Sequence, residues 1–104
     1  MAKSYNEIVM DFRKANEAAD RLQKLSSELR SIADEKYNGT LRSISNNWKG
    51  ENAENYVRKG EKVQKKIFNS SNDLKRAAET IRTIARNTYE AEMRAWRIAQ
   101  EKKH

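Results

Sequence analysis

Catalysis and metal binding need particular side chains brought together, and this chain of 104 residues holds few of them. It has no cysteine, and its one histidine is His104 at the last position. Neither a disulfide framework nor a thiolate or imidazole metal cluster can be assembled from these residues. There is no Gly-rich phosphate loop, and proline is absent. The remaining candidates for acid–base work are carboxylates such as Glu90 and Glu92. These stand two apart, so on a helix they point in different directions and cannot converge on one proton. The sequence predicts a protein without enzymatic activity, cofactor or metal, whose work is done by binding.

What it binds is narrowed first by charge. With 22 Lys+Arg against 15 Asp+Glu the formal net charge is +7, which invites an acidic partner, nucleic acid or an anionic membrane. Basic clusters occur at Arg58-Lys59, Lys62, Lys65-Lys66 and Lys75-Arg76. They are interleaved with Glu51, Glu54, Glu61, Asp73 and Glu79, as on a solvated helix face laced with i,i+4 pairs. No helix-turn-helix or basic-zipper pattern accompanies them, so nucleic acid is not expected as a partner, and a basic nucleic-acid-binding helix or a general coiled-coil adaptor is the alternative reading. Met93-Arg94-Ala95-Trp96-Arg97-Ile98 mixes aromatic and basic residues as interfacial membrane helices do, but its apolar face continues the packing seam described next. No stretch approaches the roughly 20 apolar residues that span a bilayer. The opening residues lack the basic patch and apolar run of a conventional signal peptide. A protein made soluble in the cytoplasm is the expectation.

The side chains must be positioned by helices. Proline is absent and only Gly39, Gly50 and Gly60 interrupt the chain, while apolar residues recur at spacings of three and four nearly throughout. In the second half Ala53, Gly60, Ile67, Leu74, Ile81, Thr88 and Ala95 fall seven apart, and Tyr56, Val63, Ser70, Ala77, Ile84, Ala91 and Ile98 supply the second position. Such 3-4 spacing over about six heptads predicts a long helix with a left-handed packing seam. Val57, Ala78, Ala85 and Ala99 widen the stripe on one flank, and Phe68, Tyr89 and Trp96 add rings on the other. In the first half Ile8, Ala15, Leu22 and Leu29 repeat every seven, with Phe12, Ala18, Ala19, Leu25, Ile32 and Ala33 on the same side. The phase then drifts through Tyr37, Leu41, Ile44 and Trp48, consistent with a stutter or local unwinding around Asn38-Gly39.

Asn and Gly tolerate the left-handed conformation that ends helices, so Ser45-Asn46-Asn47-Trp48-Lys49-Gly50-Glu51-Asn52 reads as the turn, with Gly50 or Asn52 capping the next helix. The expected architecture is all-α: one domain, 1–104, with helix 1 at about 4–45, the turn at about 46–51 and helix 2 at about 52–101. This antiparallel hairpin buries one side of each stripe, so the remainder needs another chain, and two hairpins pairing into a four-helix bundle is the expected dimer. The residues expected at that interface are Leu22, Leu29, Tyr56, Val63, Ile67, Phe68, Leu74, Ile81, Ile84 and Trp96. Trp48 and Gly50 are expected to lock the turn, the indole by its large buried area and the glycine by its backbone freedom.

With Trp48-Lys49-Gly50 near the midpoint of about 100 residues, and Ala53 and Tyr56 just after it, the whole chain resembles the WXG100 family of small secreted helical-hairpin proteins. The resemblance implies a substrate or partner factor of the type VII (ESX-like) secretion system of Gram-positive and related bacteria. It implies a homodimer, or a heterodimer with another WXG100-like or effector helical domain, recognised by a membrane-anchored ATPase of the FtsK/SpoIIIE type. It further implies export without a conventional signal and a role for Trp48 and Gly50 in engaging the machinery. The family's Tyr-x-x-x-Asp/Glu export signal is incomplete here: Tyr89 is followed at the fourth position by Met93, with Glu92 one residue short. Either Tyr89 and Glu92 form a degenerate signal or the partner carries the signal.

Overall fold

The computed structural model describes residues 3–103. The chain is all-helical, with no strand among the described residues. Helix α1 spans Tyr5–Ser31, a π-helical segment follows at Ile32–Tyr37, α2 spans Asn38–Asn47 and α3 spans Glu51–Lys102. At the start of α1 the Glu7 amide donates to Ser4 Oγ at 3.2 Å and the Ser4 hydroxyl donates to Glu7 Oε1 at 3.1 Å. This variant of the Ser-x-x-Glu capping box satisfies amide groups the first turn leaves unpaired. Trp48 closes α2 with its amide on the Ile44 carbonyl (2.9 Å) and then turns extended, at φ −111° and ψ 130°. Gly50 has φ +113°, a conformation costly for any residue with a Cβ. Its carbonyl accepts from the Glu54 amide, and Glu51 and Glu54 place acids in the first turn of α3, where the helix dipole favours them.

The turn is tighter than expected. Between α2 and α3 the non-helical stretch is Trp48–Gly50, not the whole of 46–51, because Asn46 and Asn47 stay in α2 and Asn47 Nδ2 reaches back to the Ser43 carbonyl. Asn52 lies inside α3 rather than capping it, and the capping position belongs to Gly50.

The chain divides into two compact units, Met1–Leu22 with Arg76–His104, and Gln23–Lys75. In the unit Gln23–Lys75 the chain reverses at Trp48–Gly50 and its arms run antiparallel, as a helical hairpin. Ser26 lies against Ser71, Ala33 against Gln64 and Leu41 against Gly60. A Cβ on Gly60 would run into the Leu41 side chain, so glycine lets the helices approach closely here. Midway, the Ser26 hydroxyl donates to the Ser71 carbonyl at 2.7 Å and the Ser71 hydroxyl donates to the Ser26 carbonyl at 2.8 Å. Both side chains are buried, and the exchange satisfies both hydroxyls. In the other unit the pairings are Tyr5 with Trp96, Phe12 with Tyr89 and Asp20 with Arg82, again antiparallel.

On α3 the expected series Ala53, Gly60, Ile67, Leu74 and Ile81 is buried or half-buried, whereas the second line of the seam lies one residue further along than the spacing suggested. That line is the flank series Val57, Gln64, Ser71, Ala78, Ala85, Glu92 and Ala99, all buried or half-buried. Of the series expected to share the centre, Tyr56, Val63, Ile84 and Ile98 are exposed. Small and polar side chains occupy the line of closest helix approach, and the larger apolar ones are displaced from it.

The phase drift is located, too. Inward-facing residues on the first arm fall at Leu22, Ser26, Leu29, Ala33, Tyr37, Leu41 and Ile44. The alternation of four and three is broken once, where the step from Ala33 to Tyr37 is four instead of three. One surplus residue is therefore accommodated, and the i→i+5 bonding of the π-helical turn at Ile32–Tyr37 absorbs it. Asn38-Gly39, where the unwinding was expected, is regular α-helix. Gln64 Nε2 braces the π turn, donating to the Ala33 carbonyl at 2.8 Å and to Asn38 Oδ1 at 2.7 Å.

Candidate functional site

Trp48 stands at the reversal, 55% exposed. Its indole meets the Tyr56 ring edge-on, with centroids 5.7 Å apart. The expectation that Trp48 locks the turn by burying a large area is therefore corrected: Gly50 supplies the turn's backbone conformation, and the indole faces solvent. It borders an open depression of about 480 Å³ between Ser45, Lys49, Ala53 and Arg58. Tryptophan and tyrosine presented this way are the residues most enriched where one protein anchors on another.

Tyr89 and Glu92, the two residues expected to stand in for the family's export signal, lie in the other unit, and both are engaged. The Tyr89 ring packs on Phe12 with centroids 4.7 Å apart. Glu92 is half-buried and pairs with Lys3 at 2.9 Å, and the same ammonium reaches Asp11 at 2.9 Å. Hydrogen bonding to Asp11 and then to Glu92 raises the Lys3 ammonium, and the Lys3 contact lowers the Asp11 carboxyl. These charges close one end of an apolar groove of about 240 Å³ lined by Ile8, Phe12, Ile81, Ile84 and Tyr89.

The expected partner-facing residues separate into two groups. Leu22, Leu29, Ile67, Phe68, Leu74, Ile81 and Trp96 are half-buried against their own chain. Trp96 stacks obliquely with Tyr5 at 5.4 Å, and the Arg30 guanidinium lies 5.8 Å over the Phe68 ring. Tyr56, Val63 and Ile84 are exposed, as are Tyr5, Met10, Leu25, Ile32, Trp48 and Ile98, which were not singled out as interface. Leu25 and Ile32 were legible only as members of the inward stripe. Their position at its margin depends on which line of α3 faces them. Among the described residues no three His, Cys, Asp or Glu side chains gather as a metal site, and no helix is long and apolar enough to cross a membrane.

Neither family models nor curated proteins nor solved structures yield a match to this chain.

Proposed function

We propose that this chain is a non-enzymatic helical pairing protein of a type VII (ESX-like) secretion system, either an exported substrate or the dimerisation partner of a secreted effector. The observation that carries the reading is a line of large apolar side chains left exposed beside an already filled internal seam. Tyr56, Val63, Ile84 and Ile98 are each more than two-fifths exposed and share one heptad position of α3, a placement that suits an interaction face. The secretion context rests on the WXG100 resemblance carried by Trp48-Lys49-Gly50, and an exposed indole beside a tight glycine turn suits recognition by a membrane-anchored FtsK/SpoIIIE-type ATPase. Pairing hides the apolar line, and the pair is presented to the machinery as a folded bundle.

The test is export of a tagged chain from a Gram-positive host carrying a type VII system, with and without co-expressed candidate partners. Wild type is expected in the medium, and Trp48→Ala is expected to be retained inside while its helical circular dichroism is unchanged. Export that is indifferent both to Trp48 and to deletion of the ATPase would overturn the secretion role.

A further inference from the structure

In the unit Gln23–Lys75 the outward side of α3 carries its charge in ordered rows. At 3.6 residues per turn, Arg58 and Lys65 form one row and Lys59 and Lys66 a second, about 100° apart around the helix axis. Between them run Asn55, Lys62 and Asn69, also seven apart, and all seven side chains are exposed. Half a turn around the axis lie Gly60, Gln64 and Ser71, which meet the first arm. The ridge therefore points away from the packed side of the hairpin. In the sequence these cations read as a face laced by i,i+4 pairs with acids such as Glu54 and Glu61. The structure does not form those pairs. Arg58 donates instead to Asn55 Oδ1 at 2.8 Å, and among the described residues no ion pair engages Arg58, Lys59, Lys62, Lys65 or Lys66. Glu54 and Glu61 stand beyond the Arg58–Lys65 row, and no acid lies on the ridge itself between Glu51 and Asp73.

We propose that this ridge docks in the major groove of duplex DNA, a function separate from pairing and on a face that the exposed apolar line does not occupy. The major groove is about 12 Å wide and admits a single α-helix. A helix lying in it meets phosphates on both walls and base edges on the floor, so it needs cations on two flanks and hydrogen-bonding side chains between them. α3 supplies that order. Arg58 and Lys65 face one wall, Lys59 and Lys66 face the other, and Asn55, Lys62 and Asn69 face the floor, where Asn suits adenine and Lys suits guanine. From Arg58 to Lys66 the ridge rises about 12 Å, somewhat more than two helical turns. An anionic membrane fits it less well. A bilayer surface is flat and takes up large apolar side chains beside the cations, whereas the ridge is convex and holds none, Tyr56 and Val63 lying beyond the Lys59–Lys66 row.

The experiment is a titration of a short fluorescent DNA duplex with the full chain, read by anisotropy, with circular dichroism on every variant. Wild type is expected to bind, and log affinity is expected to fall against log salt with a slope of about −4, as four flanking cations on phosphates require. Arg58→Gln with Lys65→Gln, and separately Lys59→Gln with Lys66→Gln, are each expected to weaken binding roughly tenfold or more and to reduce the slope by about 2. Lys24→Gln with Lys36→Gln removes the same charge from the first arm and is expected to change affinity less than about threefold. Single-stranded DNA of the same length, phosphatidylserine-containing vesicles and polyaspartate are titrated alongside. No binding to the duplex at low salt overturns the proposal, as does tighter binding to any of the other three ligands. An equal loss in the Lys24 and Lys36 variant overturns it too, since net charge alone would then account for binding. A loss confined to one of the two rows overturns the placement between two walls. None of these readouts depends on pairing or export, so the two functions stand or fall separately.

Discussion

The three glycines do three different things, and substitution separates them. At Gly50, φ +113° makes any Cβ costly although the surrounding space is open, so Gly50→Ala is expected to destabilise the chain by about 1–2 kcal/mol. At Gly39 the backbone is helical and nothing lies within 4 Å of an added Cβ, so Gly39→Ala is expected to stabilise it by about 1 kcal/mol through helix propensity. Chemical denaturation of both variants checks the opposite signs, and equal shifts in the same direction would refute the assignment. Gly50 was legible because Trp-Lys-Gly sits between two periodic segments. The role of Gly60, admitting Leu41, was not, since glycine in a seam position reads the same whether it closes a contact or merely weakens a helix.

At the scale of elements, the π turn explains a rhythm that the sequence displays but does not localise. The drift through Tyr37, Leu41 and Ile44 is visible in the spacing, yet Asn38-Gly39, the weakest helix formers nearby, attract the assignment, while the surplus residue lies in Ile32–Tyr37. Deleting Asp34 would restore the alternation of four and three through Leu29, Ala33, Tyr37, Leu41 and Ile44. Helix content is expected to be kept and stability to change by less than about 1 kcal/mol, the cost of one altered exposed turn. Deleting Asn69 from α3, where the helix has no such turn, would rotate Ser71, Leu74 and Ala78 by roughly 100° relative to the residues before them, at a cost of about 3 kcal/mol or more. Thermal unfolding followed by circular dichroism compares the two, and equal losses would show that the π turn absorbs nothing. The displaced seam has a related cause. Periodicity weights large apolar residues, whereas the closest approach between helices is lined by Gln64, Ser71, Ala78 and Ala85. Volume and hydrogen bonding, which hydropathy ignores, decided the line.

For the molecule as a whole, the apolar inventory is thin where it is enclosed and generous where it is not. Among the described residues five of the eight buried apolar side chains, Ala19, Ala33, Ala53, Ala78 and Ala85, are alanine, and each contributes little hydrophobic free energy on burial. Tyr5, Met10, Trp48, Ile84 and Ile98 meanwhile remain exposed. Under the pairing proposed above, much of the stability comes from association, so the melting temperature is expected to rise by several degrees when concentration is increased about a hundredfold, as mass action requires. Calorimetry at two concentrations reads this directly, and a melting temperature independent of concentration would show the isolated chain to be self-sufficient.

The π turn also bears on how such a chain can change over generations. A one-residue gain or loss inside a long helix ordinarily turns everything beyond it away from its neighbour, so helical lengths are frozen once two helices have mated. Ile32–Tyr37 is a splice point where that rule is relaxed. A sister sequence one residue shorter could close its gap there, in the middle of a helical arm rather than in a loop, with Ala33 and Leu41 still facing the same partners.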